Sequence, residues 1–232
     1  MAGIKRERVT KSLKLVIFDC DGTLVDSQHM ICAAMTRAYR AHGLAVPVRE
    51  TMLSIVGLSL VEAFTVLGKG EAGFPAASLA DEYRLAFHAL REGSDIIEPL
   101  YPGAAEAVAT LARREDVVLG IATGKSQRGV RLVLGYHGLL DHFMTIKTAD
   151  DAPSKPDPGM VLAAMREVGA VPENTVMVGD TVYDIAMAQA AQAAAIGVAW
   201  GYHRREALAQ LGAPVIESFA ILEPTLDRMW TC

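Results

Sequence analysis

The sequence predicts an α/β fold, in which a mainly parallel sheet forms the core and an all-helical segment is inserted after the first strand. Short apolar runs at 15–18, 117–122 and 175–178 have the length and composition of buried strands. Helical patterns separate the later runs, as in crossovers that connect parallel strands. Residues 27–97, in contrast, contain helical patterns and no strand-like run. The segment 27–97 is therefore predicted to be a helical cap, and 1–26 with 98–232 the core.

Composition narrows the functional class. The chain has 232 residues, of which 51% are hydrophobic, and a net charge of -5, so it can bury a sizeable core and lacks a basic surface for nucleic acid or anionic membranes. The longest apolar stretch, Ile185–Trp200, is too short to span a bilayer. The three cysteines form no CxxC pair, which favours a reducing compartment. We expect a cytoplasmic protein with neither nucleic acid nor membrane as partner.

The first strand, Leu15–Phe18, ends in two acids, Asp19 and Asp21. Two neighbouring carboxylates repel one another, so keeping both ionised calls for a cation or many hydrogen-bond donors. Mg²⁺ suits such a site because it prefers oxygen ligands and bridges carboxylates to phosphates. Aspartate is also a nucleophile toward phosphoryl groups. The alternative is a turn at the end of a strand with two solvated acids.

The cap begins with a predicted helix over 27–42, capped by Asp26 or Ser27. Further helical patterns follow at 60–67 and 78–90. The loop between the first two helices contains Gly57 and Ser59, which we consider candidate substrate-binding residues because a glycine and a hydroxyl can approach a ligand closely. A simple interhelical turn is the alternative for this loop.

Beyond residue 100 the patterns alternate between helix and strand. Helices are predicted at 104–113, 127–136, 159–168, 182–191 and 218–230, and strands at 117–122, 143–146, 175–178, 194–199 and 214–216.

Polar residues follow three of the predicted strands. Asp19, Thr123 and Asp180 each lie where an apolar run ends. In open parallel sheets the carboxyl ends of the strands share one edge, and ligands bind there. The three side chains are therefore predicted to converge on one site.

The converging residues match the requirements of phosphoryl transfer. Asp19 is the predicted nucleophile, and Asp21 the acid that protonates the leaving group and later deprotonates water. Thr123, with the backbone amides of Gly124 and of the turn at Gly22, is predicted to hold the phosphoryl oxygens.

Lys155 and two further acids complete the predicted site. Lys155 lies in a loop stiffened by Pro153, Pro156 and Pro158, and is predicted to neutralise Asp19 and the phosphoryl group. Its alternative is a solvated surface lysine. The predicted Mg²⁺ site comprises Asp19, Asp21, Asp180 and Asp184, with Asp184 orienting Lys155 or a metal-bound water. Asp184 could instead only stabilise the start of a helix.

Four segments of the sequence closely resemble the motifs of the haloacid dehalogenase-like hydrolase superfamily, and its phosphoglycolate phosphatase-like branch in particular. These segments are Asp19-x-Asp21-Gly22-Thr23-Leu24-Val25-Asp26-Ser27, Thr123, Ser154-Lys155-Pro156 and Gly179-Asp180-Thr181-x-x-Asp184. The resemblance implies a Rossmann-like core with a small helical cap. It also implies Mg²⁺ bound by the side chains of Asp19 and Asp180 and by the backbone carbonyl of Asp21.

Two positions depart from the pattern of the superfamily. Gly124 stands where an asparagine commonly follows the threonine of the second motif, and Gln192 stands where a glycine commonly ends the helix after the fourth motif. Neither change removes a catalytic group, but the resemblance does not determine the conformation of the turn at Gln192.

The sequence thus predicts a Mg²⁺-dependent phosphatase that hydrolyses a small, phosphoglycolate-like phosphomonoester through an aspartyl-phosphate. Its partner would be a small phosphorylated metabolite, and monomer and homodimer are both open. A phosphomutase acting on a sugar phosphate is the main alternative, because the same residues could return the phosphoryl group to a sugar. A 2-haloacid dehalogenase needs neither Asp21 nor the pair Asp180 and Asp184. A non-catalytic binding protein would have no need of the whole set.

Overall fold

The computed structural model describes residues 13–93 and 98–231. Six parallel strands form the central sheet: β1 (Lys14–Phe18), β2 (Val117–Thr123), β3 (Phe143–Thr148), β4 (Thr175–Gly179), β5 (Ala194–Val198) and β6 (Val215–Ile216). Their spatial order is β3-β2-β1-β4-β5-β6. The predicted fold class, a parallel α/β sheet flanked by helices, is confirmed.

The helices fall into two groups. Four belong to the segment between β1 and β2: α1 (Gln28–Ala41), α2 (Arg49–Leu53), α3 (Leu60–Leu67) and α4 (Ala76–Gly93). The others flank the sheet: α5 (Ala104–Ala112), α6 (Gln127–Tyr136), α7 (Gly159–Val168), α8 (Val182–Ala190), α9 (Arg205–Gln210) and α10 (Leu222–Thr231).

The central strand β1 is buried on both faces, as its apolar composition predicts. Leu15 and Ile17 point into the hydrophobic cluster that includes residues of α7 and α8. Val16 and Phe18 point into the opposite cluster, which includes residues of α5, α6 and α10. Because all four side chains are fully buried, β1 is fixed between two layers of helices and holds the residues that follow it in place.

The helices α1 to α4, which together with their connecting loops are called the cap, bury their apolar faces against one another. Met35, Tyr39, Phe64 and Tyr83 belong to a hydrophobic cluster formed by this segment. An antiparallel bridge between Val25 and Leu100 joins the two chain passages that connect the segment to the sheet. The predicted boundary between residues 97 and 98 adjoins residues outside those described, so the division into cap and core stays a prediction.

The sequence pattern does not predict two of the short helices. The helices α2 and α9 have five and six residues, too few for a helical period to show in the pattern. The predicted last helix, 218–230, divides into a 3₁₀ turn at Phe219–Ile221 and the helix α10.

The turn after α8 is built around Gln192, whose φ is +60°. The amide of Gln192 donates to the carbonyl of Gln189, and the amide of Ala193 donates to that of Ala188. This is the Schellman arrangement, in which a glycine is usual at the left-handed position. Gln192 therefore adopts the backbone conformation for which the superfamily commonly uses glycine.

Among the helices in residues 13–93 and 98–231, none is sufficiently long and apolar to cross a membrane.

Candidate active site

The acids at the ends of β1 and β4 meet at one edge of the sheet. β2, β1 and β4 are adjacent strands, so the loops that follow them are neighbours. Asp19, Asp180 and Asp184 are fully buried, and each offers a carboxylate oxygen within 4.8 Å of those of the other two. Thr123, at the end of β2, is 1% exposed and lines a cavity together with Asp19.

Lys155 reaches the same cluster from its proline-rich loop. Its Nζ lies 3.0 Å from Oδ1 of Asp19 and 2.6 Å from Oδ1 of Asp184. Burial acts to lower the pKa of Lys155, but Asp184 and Asp19 outweigh it and hold the pKa above its ordinary value. The ammonium is therefore kept charged against Asp19, and the alternative of a solvated surface lysine is wrong.

Asp184 both stabilises the start of α8 and orients Lys155, the two roles that the sequence suggested for it. Its Oδ2 accepts hydrogen bonds from the backbone N–H of Thr181, at 3.0 Å, and from the hydroxyl of Thr181, at 2.7 Å. These contacts form a capping box at the start of α8. Its Oδ1 accepts a hydrogen bond from Lys155. The helix cap thus fixes the carboxylate that positions the lysine.

The acidic cluster carries more negative than positive charge. Burial raises the pKa of Asp19 to about 6, although Lys155 acts to lower it. Burial, together with Asp184 and Asp19, raises the pKa of Asp180 well above its ordinary value. Three buried carboxylates face one ammonium, which leaves two negative charges uncompensated when all of these groups are ionised. A divalent cation would supply the missing charge.

Asp19 also has free coordination capacity. Among the described residues, neither of its carboxylate oxygens has a hydrogen-bond partner of acceptable geometry, although Oδ1 lies near the ammonium of Lys155. Buried carboxylates without donors are costly unless a cation completes them. The oxygen donors of the cluster therefore fit a hard divalent cation.

Asp180 is held tightly beside this cluster. Its Oδ1 accepts from the hydroxyl of Thr23 at 3.0 Å, and its Oδ2 accepts from the backbone N–H of Tyr202 at 2.8 Å. A Cβ on Gly22 would overlap the Asp180 carboxylate, and Gly22 has a φ of +88°. Space and backbone conformation both require glycine at this position.

Asp21 is bound by residues that the sequence reasoning missed. Its Oδ1 accepts a hydrogen bond from Ser27 Oγ at 2.5 Å and one from Lys125 Nζ at 2.8 Å. Lys125 Nζ also lies 2.9 Å from Oε1 of Glu98, and Glu98 is paired with Arg91 of α4. A series of ion pairs therefore connects Asp21 to α4. The only signal for Lys125 in the sequence is its place two residues after Thr123.

The glycine at position 124, where the superfamily commonly has asparagine, has a steric explanation. A Cβ at this position would lie 2.5 Å from the carbonyl oxygen of Gly57 and 2.6 Å from that of Leu58. Real Cβ atoms do not approach oxygen so closely. The loop of the cap can therefore rest directly on the turn after β2 only because residue 124 has no side chain.

The two candidate residues of the cap differ in their placement. Gly57 lines the same cavity as Asp19, Asp21, Thr123 and Gly124. Ser59 instead is the residue immediately before α3, and its backbone N–H donates to the hydroxyl of Ser154 at 2.8 Å. Ser59 thus joins the cap to the residue before Lys155, and the structure gives it no contact with the cavity within the described part of the chain.

The comparison with protein families finds one match across most of the chain. The sequence profile described as haloacid dehalogenase-like hydrolase matches residues 16–198.

Named relatives and a solved structure agree with this match. A probable phosphatase, IndB, of Dickeya dadantii is 35% identical over 198 residues, covering 84% of each chain. The phosphoglycolate phosphatase of Rhodospirillum rubrum is 34% identical over 217 residues, covering 90% of this chain and 89% of that protein. The crystal structure of a hydrolase from Pseudomonas syringae superposes with a TM-score of 0.80 at 28% identity, over 93% of this chain and 98% of the other.

Proposed function

The chain belongs to the haloacid dehalogenase-like hydrolases, and we propose that it is a Mg²⁺-dependent phosphatase that hydrolyses a small organic phosphomonoester through an aspartyl-phosphate on Asp19. The observation that carries the proposal is the Asp19 carboxylate, which lies in the wall of a cavity, 3.0 Å from the Lys155 ammonium and without a hydrogen-bond partner among the residues described. A carboxylate in this state is free to act as a nucleophile. The relatives named phosphatases support the reaction class.

The reaction has two displacements at phosphorus. In the first, an oxygen of Asp19 forms a bond to phosphorus while the bond from phosphorus to the oxygen of the leaving group breaks. Asp21 donates a proton to the oxygen of the leaving group, which departs as an alcohol. In the second, Asp21 takes a proton from a water molecule that attacks the aspartyl-phosphate. The P–O bond to Asp19 then breaks, which releases inorganic phosphate and restores the carboxylate.

Other residues of the chain neutralise and orient the phosphoryl group. Lys155 offsets the repulsion between the Asp19 carboxylate and the anionic phosphate, and Asp184 keeps the lysine in place. The hydroxyl of Thr123 and the amide of Gly124 are the proposed donors to the phosphoryl oxygens. The amide of Gly22, which the sequence also suggested, instead donates to the carbonyl oxygen of Val25 at 2.9 Å.

Mg²⁺ would be held by the carboxylates of Asp19 and Asp180 and the backbone carbonyl of Asp21, where it supplies positive charge to the phosphoryl oxygens when bound. The free oxygens of Asp19 and the net negative charge of the cluster support this assignment. Ser27 and Lys125 hold the side chain of Asp21, which is the proposed proton donor and acceptor, in a fixed position.

The test measures phosphate release from phosphoglycolate and from a generic aryl phosphate. Asp19→Asn is expected to lower kcat/KM by at least about a thousandfold, since it removes the nucleophile. EDTA should abolish turnover, and added Mg²⁺ should restore it. The matched control is Asp116→Asn, which changes an acid paired with Lys14 and Arg114 away from the site.

These assays distinguish the proposed mechanism from the alternative activities. Unchanged turnover in Asp19→Asn, or full activity in EDTA, would contradict the mechanism. Chloride release from a 2-chloro acid would favour a dehalogenase. Transfer of the phosphoryl group within a sugar phosphate, without release of inorganic phosphate, would favour a phosphomutase.

A further inference from the structure

The cavity above Asp19 is large for a two-carbon substrate. It has a volume of about 510 Å³ and extends from Asp19 and Thr123 of the core to α1 and α4 of the cap. Pockets of about 300–1,000 Å³ typically enclose drug-sized ligands. The phosphoryl group and a two-carbon leaving group would occupy only one end of this space.

The middle of the cavity is apolar. Its wall there is formed by side chains from α1, from the loop before α3 and from α4, namely Ile31, Met35, Ile55, Val56, Tyr83 and Phe87. Such a wall stabilises a ligand by removing apolar surface from water. It offers little to a short, fully polar leaving group.

Three arginines and one acid, Glu92, line the exposed end of the cavity. Arg84 and Arg91 of α4 and Arg128 of α6 line it, and Arg84 and Arg128 are exposed to solvent. Arg84 is paired with Asp81, and Arg91 is paired with Glu98. These two guanidinium groups therefore already have carboxylate partners.

Arg128 differs from the other two arginines. Its guanidinium lies 2.8 Å from Nε2 of His88, to which it can only donate, and Nδ1 of His88 lies 3.4 Å from Oε2 of Glu92. Within residues 13–93 and 98–231, no carboxylate forms an ion pair with Arg128. A guanidinium fork can form two parallel hydrogen bonds with a planar carboxylate.

We propose that the substrate is an elongated phosphomonoester with a carboxylate at the end opposite the phosphate, and that the apolar wall binds its hydrocarbon spacer while Arg128 binds the carboxylate. This inference rests on the proposed function, because the phosphate end is placed at Asp19. It makes Arg128, which no family motif includes, a specificity-determining residue. Phosphoglycolate is the shortest member of this chemical series.

A homologous series of substrates tests the inference. The probes are ω-carboxyalkyl phosphates of two, five and eight carbons, together with alkyl phosphates of the same lengths without the carboxylate. For wild type, kcat/KM is expected to rise about three- to fourfold per added methylene until the apolar section is filled. At the longest length the carboxylated substrate should exceed its alkyl counterpart by about 10- to 100-fold.

Matched variants identify the residue responsible. Arg128→Gln should lower kcat/KM for the longest carboxylated substrate to that of its alkyl counterpart. Arg131→Gln is the control, because Arg131 is an exposed residue of the same helix that does not line the cavity. Both arginines are exposed, so neither substitution disturbs a buried group.

The outcomes separate this inference from the proposed function. Turnover of phosphoglycolate with no gain from longer spacers would overturn the inference and leave the phosphatase intact. Equal gains for carboxylated and alkyl substrates, or an unchanged carboxylate preference in Arg128→Gln, would overturn the role of Arg128. Hydrolysis of neither series nor of the aryl phosphate would overturn the proposed function as well.

Discussion

The carbonyl oxygen of Gly57, in the loop of the cap, lies 2.5 Å from the point that a Cβ on Gly124 of the core would occupy. The turn after β2 also carries Thr123 and Lys125, so the cap rests on the backbone that shapes the phosphate end of the cavity. The fit between the two backbones is therefore part of the geometry of the site.

Gly124→Ala is expected to lower kcat/KM by about 10- to 100-fold, because the cap must shift by up to about an ångström to make room for the methyl group. The melting temperature should change little, since the substitution affects the approach of two loops and not the core. The control is Gly135→Ala, where a Cβ would meet no neighbouring atom within 4 Å. Wild-type kinetics in Gly124→Ala would contradict this account of the close contact.

Asp184→Asn is expected to cost about 2–4 kcal/mol in the free energy of unfolding, because it removes one of the two carboxylates that hold the buried ammonium of Lys155. Urea denaturation measures this free energy. Lys147→Met breaks the partly exposed ion pair of Lys147 with Glu167 and should cost less than about 1 kcal/mol. Equal losses in the free energy of unfolding for the two variants would show that the buried ion pair contributes no more to stability than the partly exposed one.

Binding of Mg²⁺ is expected to stabilise the fold. At a free concentration about a hundredfold above its dissociation constant, the ion contributes about 2.7 kcal/mol, which corresponds to a rise in Tm of about 5–10 °C for a chain of this size. Asp180→Asn should abolish this shift while keeping or raising the Tm measured in EDTA, because it removes one of three clustered charges. Asp116→Asn should retain the shift. A Tm that is insensitive to Mg²⁺ in wild type would argue against the metal site.

Gln192→Gly is expected to raise the free energy of unfolding by about 0.5–1 kcal/mol, since glycine adopts the left-handed conformation without the steric penalty of a side chain. The reverse change at an equivalent turn is Gly169→Ala, at a φ of +75° after α7, which should cost about 1 kcal/mol. Gln192→Ala serves as the control and should give no gain. A loss of stability in Gln192→Gly would mean that the glutamine side chain stabilises the turn.

His203 is held in its neutral form, so its protonation should lower stability as the pH drops below about 6.5, whereas the raised pKa of Asp19 acts in the opposite direction over the same range. The N–H of Val182 donates to Nδ1 of His203 at 3.2 Å, so Nε2 carries the proton that faces the carbonyl oxygen of Ser54 at 3.0 Å. Burial lowers the pKa of His203 below its ordinary value. The unfolded chain therefore binds a proton at a higher pH than the folded chain, and acid favours unfolding.

The measurement is Tm as a function of pH between 7.5 and 5.5, compared for wild type and His203→Ala. The Tm of wild type relative to that of His203→Ala should fall as the pH drops through this window. His142→Ala, which changes an exposed histidine, should keep the wild-type slope. Parallel profiles for wild type and His203→Ala would exclude His203 as the source of the pH dependence.

The framework of the site could be predicted from the sequence because each main residue follows a regular pattern. Asp19, Thr123 and Asp180 end apolar strands, and the rule for parallel sheets brings such ends together. Lys155 stands in a proline-rich loop, where a fixed position is expected. Strand and helix bounds agree within a few residues because the elements are long or strongly apolar.

Contacts that depend on tertiary packing could not be predicted in this way. Lys125 meets Asp21 across 104 positions of the chain and Glu98 across 27, and no local pattern encodes either pairing. The role of Ser59 depends on the approach of the cap to Ser154, which only the folded chain reveals. Arg128 looks like any surface arginine until the cavity shows that α6 places it at the exposed end.

The order of the strands has a further consequence for biosynthesis. Asp180 follows β4, which lies directly beside β1, but it is synthesised 161 residues after Asp19. A nascent chain therefore holds its nucleophile long before it can hold a metal. Products truncated before β4 would lack a complete catalytic centre.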